Sequence, residues 1–174
     1  MKMFTRPATE KDAGWIATLC YQQFQVAHRE ALQHDDMMYA IDKMFSPDAV
    51  KADIQQKDHY YFAVTDERNN PLGCVKLGPV ELDLAKKIKG AIELTRFYVY
   101  PEMIGKSVAA LLIKACVDFV RAHRQYHSIW LHVYERNFRA LRFYEKMGFV
   151  NMGTQLYAVR NSIPTGIVMS LEVK

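Results

Sequence analysis

One stretch whose residue types could bind a charged ligand is Ile104–Ala109, which reads Ile-Gly-Lys-Ser-Val-Ala. Apolar residues at helical spacing follow it, so a helix is predicted to begin beyond Gly105. Backbone N–H groups at the positive end of a helix bind phosphate when no bulky side chain covers them. The stretch therefore offers the geometry of an anion site, to which Lys106 adds charge. An ordinary helix N-terminus without a ligand is the alternative.

Histidines and cysteines give weaker indications of chemistry. His123 and His127 lie four residues apart, a spacing that can bind metal on a helix, but no third ligand is evident and no metal site is predicted. The three cysteines, Cys20, Cys74 and Cys116, are far apart and form no C-x-x-C motif, which favours neither a disulfide framework nor a zinc site. This cysteine usage is typical of a reducing compartment.

Length and composition predict one domain over residues 1–174. The 23 Lys and Arg exceed the 19 Asp and Glu by four, and half of the residues are hydrophobic. A net charge of +4 without a clustered basic tract predicts no nucleic-acid or membrane partner. The most apolar stretch, 108–120, is interrupted by charges and is shorter than the ~20 residues that span a bilayer. The start of the chain shows no signal peptide, and a cytoplasmic location is expected.

The residue pattern also predicts the elements that position these groups. Helices are expected from Thr9, where Asp12 completes a capping box, after Asp36, from Ser46 to about Lys57, beyond Gly105, and over Asn137–Met147. Strands are expected at Phe4–Arg6, Tyr60–Thr65, Leu72–Leu77, Ile92–Val99, Ile129–Tyr134, near Gln155–Val159, and at Ile167–Glu172. This order predicts an α/β (α+β) domain with a mixed sheet. Alternation would place Glu93, Thr95, Phe97 and Val99 on one face of their strand.

Two motifs resemble those of the GNAT (Gcn5-related) N-acetyltransferase family. Leu131-x-Val133-x-x-x-Asn137-x-x-Ala140-x-x-Phe143-Tyr144-Glu145-Lys146-Met147-Gly148-Phe149 is similar to its motif B. Val99-Tyr100-Pro101 and the following Ile104–Ala109 resemble its motif A, a strand ending in Val-x-Pro before R/Q-x-x-G-x-G/A. Ile104 replaces the family's Gln or Arg, and Ser107 replaces a glycine. The order of elements extends the resemblance over nearly the whole chain.

The resemblance implies a GNAT-like mixed, largely antiparallel sheet of six to seven strands flanked by helices. It also implies transfer of an acetyl group from acetyl-CoA to an amine by direct attack in a ternary complex. The implied coenzyme-binding residues are Tyr98, Val99, Ile104, Gly105, Lys106, Ser107, Val108, Ala109, Asn137 and Arg139. Asn137 is equally suited to be a helix N-cap, and Arg139 to be solvated.

The resemblance further implies two catalytic roles. Tyr144 matches the family's general acid, which protonates the departing thiolate, and a phenol is protonated near neutral pH. Glu93 lies where many family members carry a glutamate that acts as the base for the amine. Core packing of Tyr144, and a structural ion pair of Glu93 with a residue such as Arg96, are the alternatives.

Within the family, the second motif is similar to Pai-type bacterial spermidine/spermine acetyltransferases, which implies a small-molecule amine, with a polyamine as one candidate. The implied acceptor-binding residues are Phe24, Glu30, Asp35 and His132, with Asp36 and Asp42 in the same acidic part of the chain. Helix-surface solubility would explain these acidic residues, and strand packing would explain His132. A protein or peptide N-acetyltransferase, a non-catalytic acyl-CoA-binding module and a plain interaction domain are the alternative functions. Many members of the family form dimers through their sheets or C-terminal strands, so the resemblance also implies a homodimer.

Overall fold

The computed structural model describes residues 1–174, in which seven strands form one sheet. The strands are β1 (Met3–Pro7), β2 (Tyr60–Asp66), β3 (Pro71–Gly78), β4 (Ala91–Val99), β5 (Ser128–Tyr134), β6 (Val150–Leu156) and β7 (Thr165–Glu172). Their order across the sheet is β1-β2-β3-β4-β5-β7-β6. Only the β4–β5 pair is parallel. The predicted mixed, largely antiparallel sheet is confirmed.

Five helices surround this sheet. They are α1 (Ala13–His28), α2 (His34–Met44), α3 (Pro47–Ile54), α4 (Val108–Ala122) and α5 (Phe138–Lys146). The Ser46 hydroxyl accepts a hydrogen bond from the Ala49 N–H at 3.1 Å, and Pro47 occupies the first helical position, as predicted for the start of α3. None of the helices is both long and apolar enough to cross a bilayer.

The sheet separates two hydrophobic cores. Helix α4 and Tyr144 of α5 contribute to one core, and helices α1, α2 and α3 form the other. Cys74 and Val75, consecutive in β3, are buried in different cores because successive strand residues point to opposite faces. The buried Cys116 lies in the α4 core.

A β-bulge in β4 changes which of its residues share a face. Lys76 of β3 pairs with Arg96, but the next residue, Leu77, pairs with Leu94, so Thr95 is the extra residue. Strict alternation across Thr95 was therefore a wrong prediction. The bulge leaves Leu94 and Phe97 together in the α4 core, and Glu93, Arg96 and Tyr98 share the opposite face.

Strand β6 also differs from its prediction near Gln155–Val159, since it begins earlier, at Val150. Gly148 ends α5 in the left-handed conformation, with φ of 91°, and the chain enters the strand directly. The segment Asn151-Met152-Gly153 has the composition of a turn. It instead forms a bulge within β6, where the Asn151 Oδ1 accepts the Gly153 N–H at 2.8 Å.

The entry to α1 is organised by the buried carboxylate of Asp12. It accepts two hydrogen bonds from the Arg6 guanidinium, at 2.7 and 2.8 Å, one from the Thr9 N–H at 2.7 Å, and one from the Trp15 indole at 2.9 Å. Burial opposes ionisation, but these hydrogen bonds outweigh it and hold the pKa of Asp12 well below its usual value. Thus β1, a 3-10 turn over Glu10–Asp12 and α1 are joined at one carboxylate.

We expect Asp12→Asn to lower the free energy of unfolding by about 2 kcal/mol at pH 7, because several bonds to a charged acceptor are weakened. A carboxyl whose pKa is lowered by folding stabilises the fold above its unfolded pKa, about 4, and this contribution is lost as the pH falls below it. Urea unfolding between pH 7 and pH 3 should show the difference from wild type shrinking in acid. Glu67→Gln, on an exposed turn, is the control, and a pH-independent difference would contradict the ionic origin.

Candidate active site

A cavity of about 1080 Å³ opens where β4 and β5 separate. The two strands pair only between Ala91–Glu93 and Ser128–Trp130. Beyond Glu93 and Trp130 the two strands no longer pair with each other. Strand β5 continues to pair with β7 on its other side, and β4 continues to pair with β3. The edge of β4 that faces β5 is consequently free along the cavity, and backbone groups near Tyr98 and Val99 line it.

The N-terminus of α4 lies at one end of this cavity. No protein acceptor binds the backbone N–H groups of Gly105, Ser107, Val108, Ala109 and Ala110. A Cβ added to Gly105 would meet nothing within 4 Å, so the surrounding space is open. Unpaired N–H groups at a helix N-terminus are donors suited to an anion, and the anion site itself stays a prediction.

Ser107 is in the left-handed conformation, with φ of 68° and ψ of 0°. Its hydroxyl makes no capping hydrogen bond. A non-glycine residue is strained in this region, which gives a physical reason for the glycine that the motif has at this position.

The coenzyme-binding residues predicted from the sequence fall into two groups. Those that line the cavity are Tyr98, Val99, Ile104, Gly105, Ser107, Ala109, Asn137 and Arg139. Lys106 is exposed and does not line it, and the side chain of Val108 is buried in the α4 core, so Val108 offers only its backbone.

Helix α5 forms the opposite side of the cavity. The Asn137 Oδ1 accepts the Ala140 N–H at 3.2 Å, which makes this residue the N-cap, and its amide still faces the cavity. Arg136, Arg139 and Lys146 also line the cavity and make it cationic. Of these three, only Arg139 was predicted from the sequence. Lys146 lies seven residues after Arg139 on the same helix, a spacing that places both on one helix face and could have indicated it, whereas Arg136 precedes the helix and had no such signal.

Tyr144 is 6% exposed and lies against the aromatic rings of Phe97, Phe143 and Phe149, with centroids 5.4 to 5.7 Å away. Its hydroxyl makes no hydrogen bond to the protein. Burial, with a smaller effect of Cys116, raises its pKa well above the usual value. The cavity therefore holds a phenol that remains protonated and has a proton to give.

Glu93 is 3% exposed and also lines the cavity. Its Oε2 accepts the backbone N–H groups of Glu81, at 2.7 Å, and Leu82, at 3.3 Å. Burial raises the pKa of Glu93, although these two bonds oppose the rise. No ion pair joins it to Arg96, which instead lies 3.4 Å from Asp53. The arrangement suits a positioned carboxylate that can gain and lose a proton.

Aromatic side chains form a further part of the cavity wall. Phe24 stacks on His28, with ring centroids 4.1 Å apart, and His132 lies 4.8 Å from Tyr157. Burial lowers the pKa of His28 to about 4 and also lowers that of His132, so both imidazoles are neutral at pH 7. Two of the predicted acceptor residues, Phe24 and His132, therefore line a largely uncharged wall.

The acidic residues of the N-terminal part do not gather at the cavity. Glu30 lines it, whereas Asp35 is exposed near the start of α2 and Asp42 lies elsewhere on the same helix. Asp36 is buried away from the cavity and accepts hydrogen bonds from the Ser162 hydroxyl at 2.6 Å and the Asn161 amide at 3.3 Å. The cavity lining thus includes Glu30 but not Asp35. No group of three or more His, Cys, Asp or Glu side chains is arranged to hold a metal ion.

The fold and this cavity are those of an acyl-transfer enzyme family, and residues 20–149 match the model of the acetyltransferase (GNAT) family. The chain belongs to this family.

Two curated relatives support the assignment. The chain is 34% identical over 92 residues to the spermidine N(1)-acetyltransferase of Vibrio cholerae, which covers 53% of this chain and 50% of that protein. It is 32% identical over 108 residues to an uncharacterised N-acetyltransferase of Schizosaccharomyces pombe, covering 62% and 60%. The matches therefore span half to three-fifths of these relatives.

Solved structures show the same fold. The PaiA N-acetyltransferase of Thermoplasma acidophilum in complex with coenzyme A is 15% identical, with 99% of each chain covered and a TM-score of 0.74. The spermidine N-acetyltransferase of Vibrio cholerae in complex with CoA and spermine is 23% identical, with 98% of this chain and 95% of that chain covered and a TM-score of 0.67.

We expect Ser107→Gly to raise the free energy of unfolding by about 1 kcal/mol, because glycine adopts a positive φ without the steric cost of a Cβ. Urea denaturation measures the change. Ser107→Ala is the matched control, since it removes the hydroxyl but keeps the Cβ, and it should give no gain. Equal stabilisation by both substitutions would contradict the assignment of strain to the backbone.

Proposed function

We propose that this chain transfers an acetyl group from acetyl-CoA to a primary amine of a small molecule, by direct attack within a ternary complex. The observation that carries the proposal is the placement of Glu93 and Tyr144 on one cavity, between an open helix N-terminus and a strand with a free edge. A base, a proton donor and an anion site are the three groups that such a transfer needs.

The residues at the α4 end of the cavity fit a pyrophosphate-bearing coenzyme. The free N–H groups beside Gly105 and Ser107 can bind phosphate oxygens, and Arg136, Arg139 and Lys146 add positive charge across the cavity. The free edge of β4 offers backbone partners for the amides of the pantetheine arm. Acetyl-CoA would supply the activated acyl carbon as a thioester.

Glu93 is proposed to take the proton that the amine must lose on attack. Its Oε2 is fixed by two backbone N–H groups, so the carboxylate is oriented before an amine arrives. Burial raises its pKa towards neutrality, which brings its proton affinity closer to what a base needs at pH 7.

Tyr144 is proposed to donate the proton that the departing thiolate requires. Its hydroxyl makes no hydrogen bond within the protein, and its raised pKa keeps it in the donating form across the physiological range. Three neighbouring rings hold the phenol in place, so its hydroxyl is already positioned before the coenzyme binds.

A polyamine is one candidate acceptor. The Vibrio cholerae relative is named as a spermidine N(1)-acetyltransferase, and Glu30, Glu81 and Glu93 line the cavity. A homodimer also stays a proposal. Strand β6 is an outer strand of the sheet with Val150 and Leu156 exposed, and light scattering would measure the oligomeric state.

One assay tests the proposed function directly. Free thiol released from acetyl-CoA is measured over a panel of amines and peptides, beside calorimetry of acetyl-CoA binding. Amine-dependent thiol release supports the proposal. Binding without turnover of any acceptor would indicate a non-catalytic module, and turnover of peptides alone would indicate a protein acetyltransferase.

We expect Tyr144→Phe to lower kcat by about 10²-fold at saturating acetyl-CoA, because the ring packing is kept and only the proton donor is lost. Thiol release measures the rate, and calorimetry checks that the coenzyme still binds. Tyr21→Phe, on an exposed part of α1, is the matched control and should be as active as wild type. An unchanged kcat in Tyr144→Phe would remove the acid role.

We expect Glu93→Gln to lower kcat/KM for the amine by about 10²-fold, because the amide can still accept the two backbone N–H bonds but cannot take a proton. In the wild type, kcat/KM should fall as the pH drops through the pKa of Glu93, which lies above the usual 4.5. The variant should lack this acidic limb. Identical pH profiles for the two proteins would show that another group is the base.

A further inference from the structure

A buried ion cluster lies beside the cavity, on the face of the sheet that Glu93 shares. The carboxylate of Asp53 accepts hydrogen bonds from the Lys76 ammonium, at 2.9 and 3.0 Å, from the His59 imidazole at 2.7 Å, and from the Tyr61 hydroxyl. The Arg96 guanidinium lies 3.4 Å from the same carboxylate. The side chains of Lys76 and Arg96 are only 11% and 12% exposed, so these charges are held in a poorly solvated place.

The cations of this cluster face the cavity and the anion does not. His59, Lys76 and Arg96 line the cavity, whereas Asp53 and Tyr61 lie behind them. Lys76 and Arg96 carry two positive charges, and Asp53 is the one carboxylate in salt-bridge contact with them. A buried charge without full compensation is costly, so an anion entering from the cavity would be stabilised there.

Arg96 is held in position and keeps a donor for a ligand. Its guanidinium donates to the Tyr61 hydroxyl at 2.6 Å and to the Met44 carbonyl at 3.3 Å, and it lies 5.1 Å from the centre of the Phe45 ring. Its Nε–H has no acceptor in the protein. An oriented guanidinium with a free donor is a favourable partner for a carboxylate or phosphate.

The strand register fixes the spacing between the cations and the proposed base. Lys76 and Arg96 are cross-strand partners, and Gly78 is the partner of Glu93. Two residues of β3 separate these pairs, which places them about 7 Å apart along the sheet. Glu81 and Glu93 are the other carboxylates that interact electrostatically with Lys76, and Glu93 is bound to two backbone N–H groups. The carboxylate proposed to receive the amine and the two cations are therefore separated by about the length of a small molecule.

We propose that the acceptor is a small primary amine that also carries an anionic group, a carboxylate or a phosphate, which Arg96 and Lys76 bind while Glu93 receives the amine. This inference rests on the proposed function and narrows its acceptor. A polyamine would place a second ammonium beside Lys76 and Arg96, where it would be repelled.

Matched acceptor pairs test the inference on the wild-type protein. Thiol release is measured for L-lysine against cadaverine, 4-aminobutyrate against propylamine, and O-phosphoethanolamine against ethanolamine, with spermidine included. We expect kcat/KM to be about tenfold or more higher for the anionic member of at least one pair, and the carboxylate and phosphate pairs identify which anion is bound.

Equal or faster turnover of the plain amines or of spermidine would overturn the inference while leaving the proposed function intact. If acetyl-CoA binds and no acceptor is acetylated, the proposed function fails and the inference falls with it. The two failures are therefore distinct in the same experiment.

Substitution of Arg96 separates recognition from folding. In Arg96→Gln the ratio of kcat/KM between the two members of the preferred pair should fall towards one, and Arg96→Lys should retain part of it. Arg68→Gln, on the exposed β2–β3 turn, is the matched control and should keep the wild-type ratio. An equal loss for both members in Arg96→Gln would show a structural role only and overturn the assignment of Arg96.

Discussion

The short parallel contact between β4 and β5 is the constraint on which the site depends. Three residues of each strand pair, and then β5 follows its long antiparallel partner β7 while β4 follows β3. A sheet that separates in this way must leave backbone groups of β4 unpaired, and unpaired groups in a cavity need a partner. The cavity and the free strand edge are thus consequences of one interrupted ladder, and the N-terminus of α4 lies at one end of the same cavity.

The bulge at Thr95 determines which side chains meet at this interruption. Without the extra residue, Glu93 and Arg96 would point to opposite faces of β4. With it, the carboxylate and the guanidinium share one face, where the guanidinium lies 3.4 Å from Asp53, a carboxylate that it shares with Lys76, and Glu93 makes no ion pair. One inserted residue therefore brings onto one cavity wall two polar groups that would otherwise lie on opposite faces of the sheet.

The sequence was sufficient for the order of elements and for the residues that a motif fixes, such as the N-cap Asn137 and the cavity residue Tyr144. It was insufficient where a contact joins distant parts of the chain. No residue pattern near Asp53 indicates that Lys76 is its partner. The bulge at Thr95 is also hard to predict, because one inserted residue leaves the hydrophobic pattern of the strand almost unchanged. Asp35 shows the opposite problem. A local cluster of acidic residues predicted an acceptor-binding surface, yet Asp35 is exposed near the start of α2 and does not line the cavity.

The two departures from motif A bear differently on coenzyme binding. Ile104 is 46% exposed and brings no hydrogen bond, so the side-chain contribution of that position is lost. Ser107 keeps the left-handed backbone that a glycine would adopt, and the N–H groups around it remain without acceptors. The backbone part of the anion site is therefore preserved at the cost of local strain. Ile104 provides no positive charge, but Arg136, before α5, and Arg139, on α5, line the opposite wall of the cavity, where the proposed function would place part of the phosphate binding.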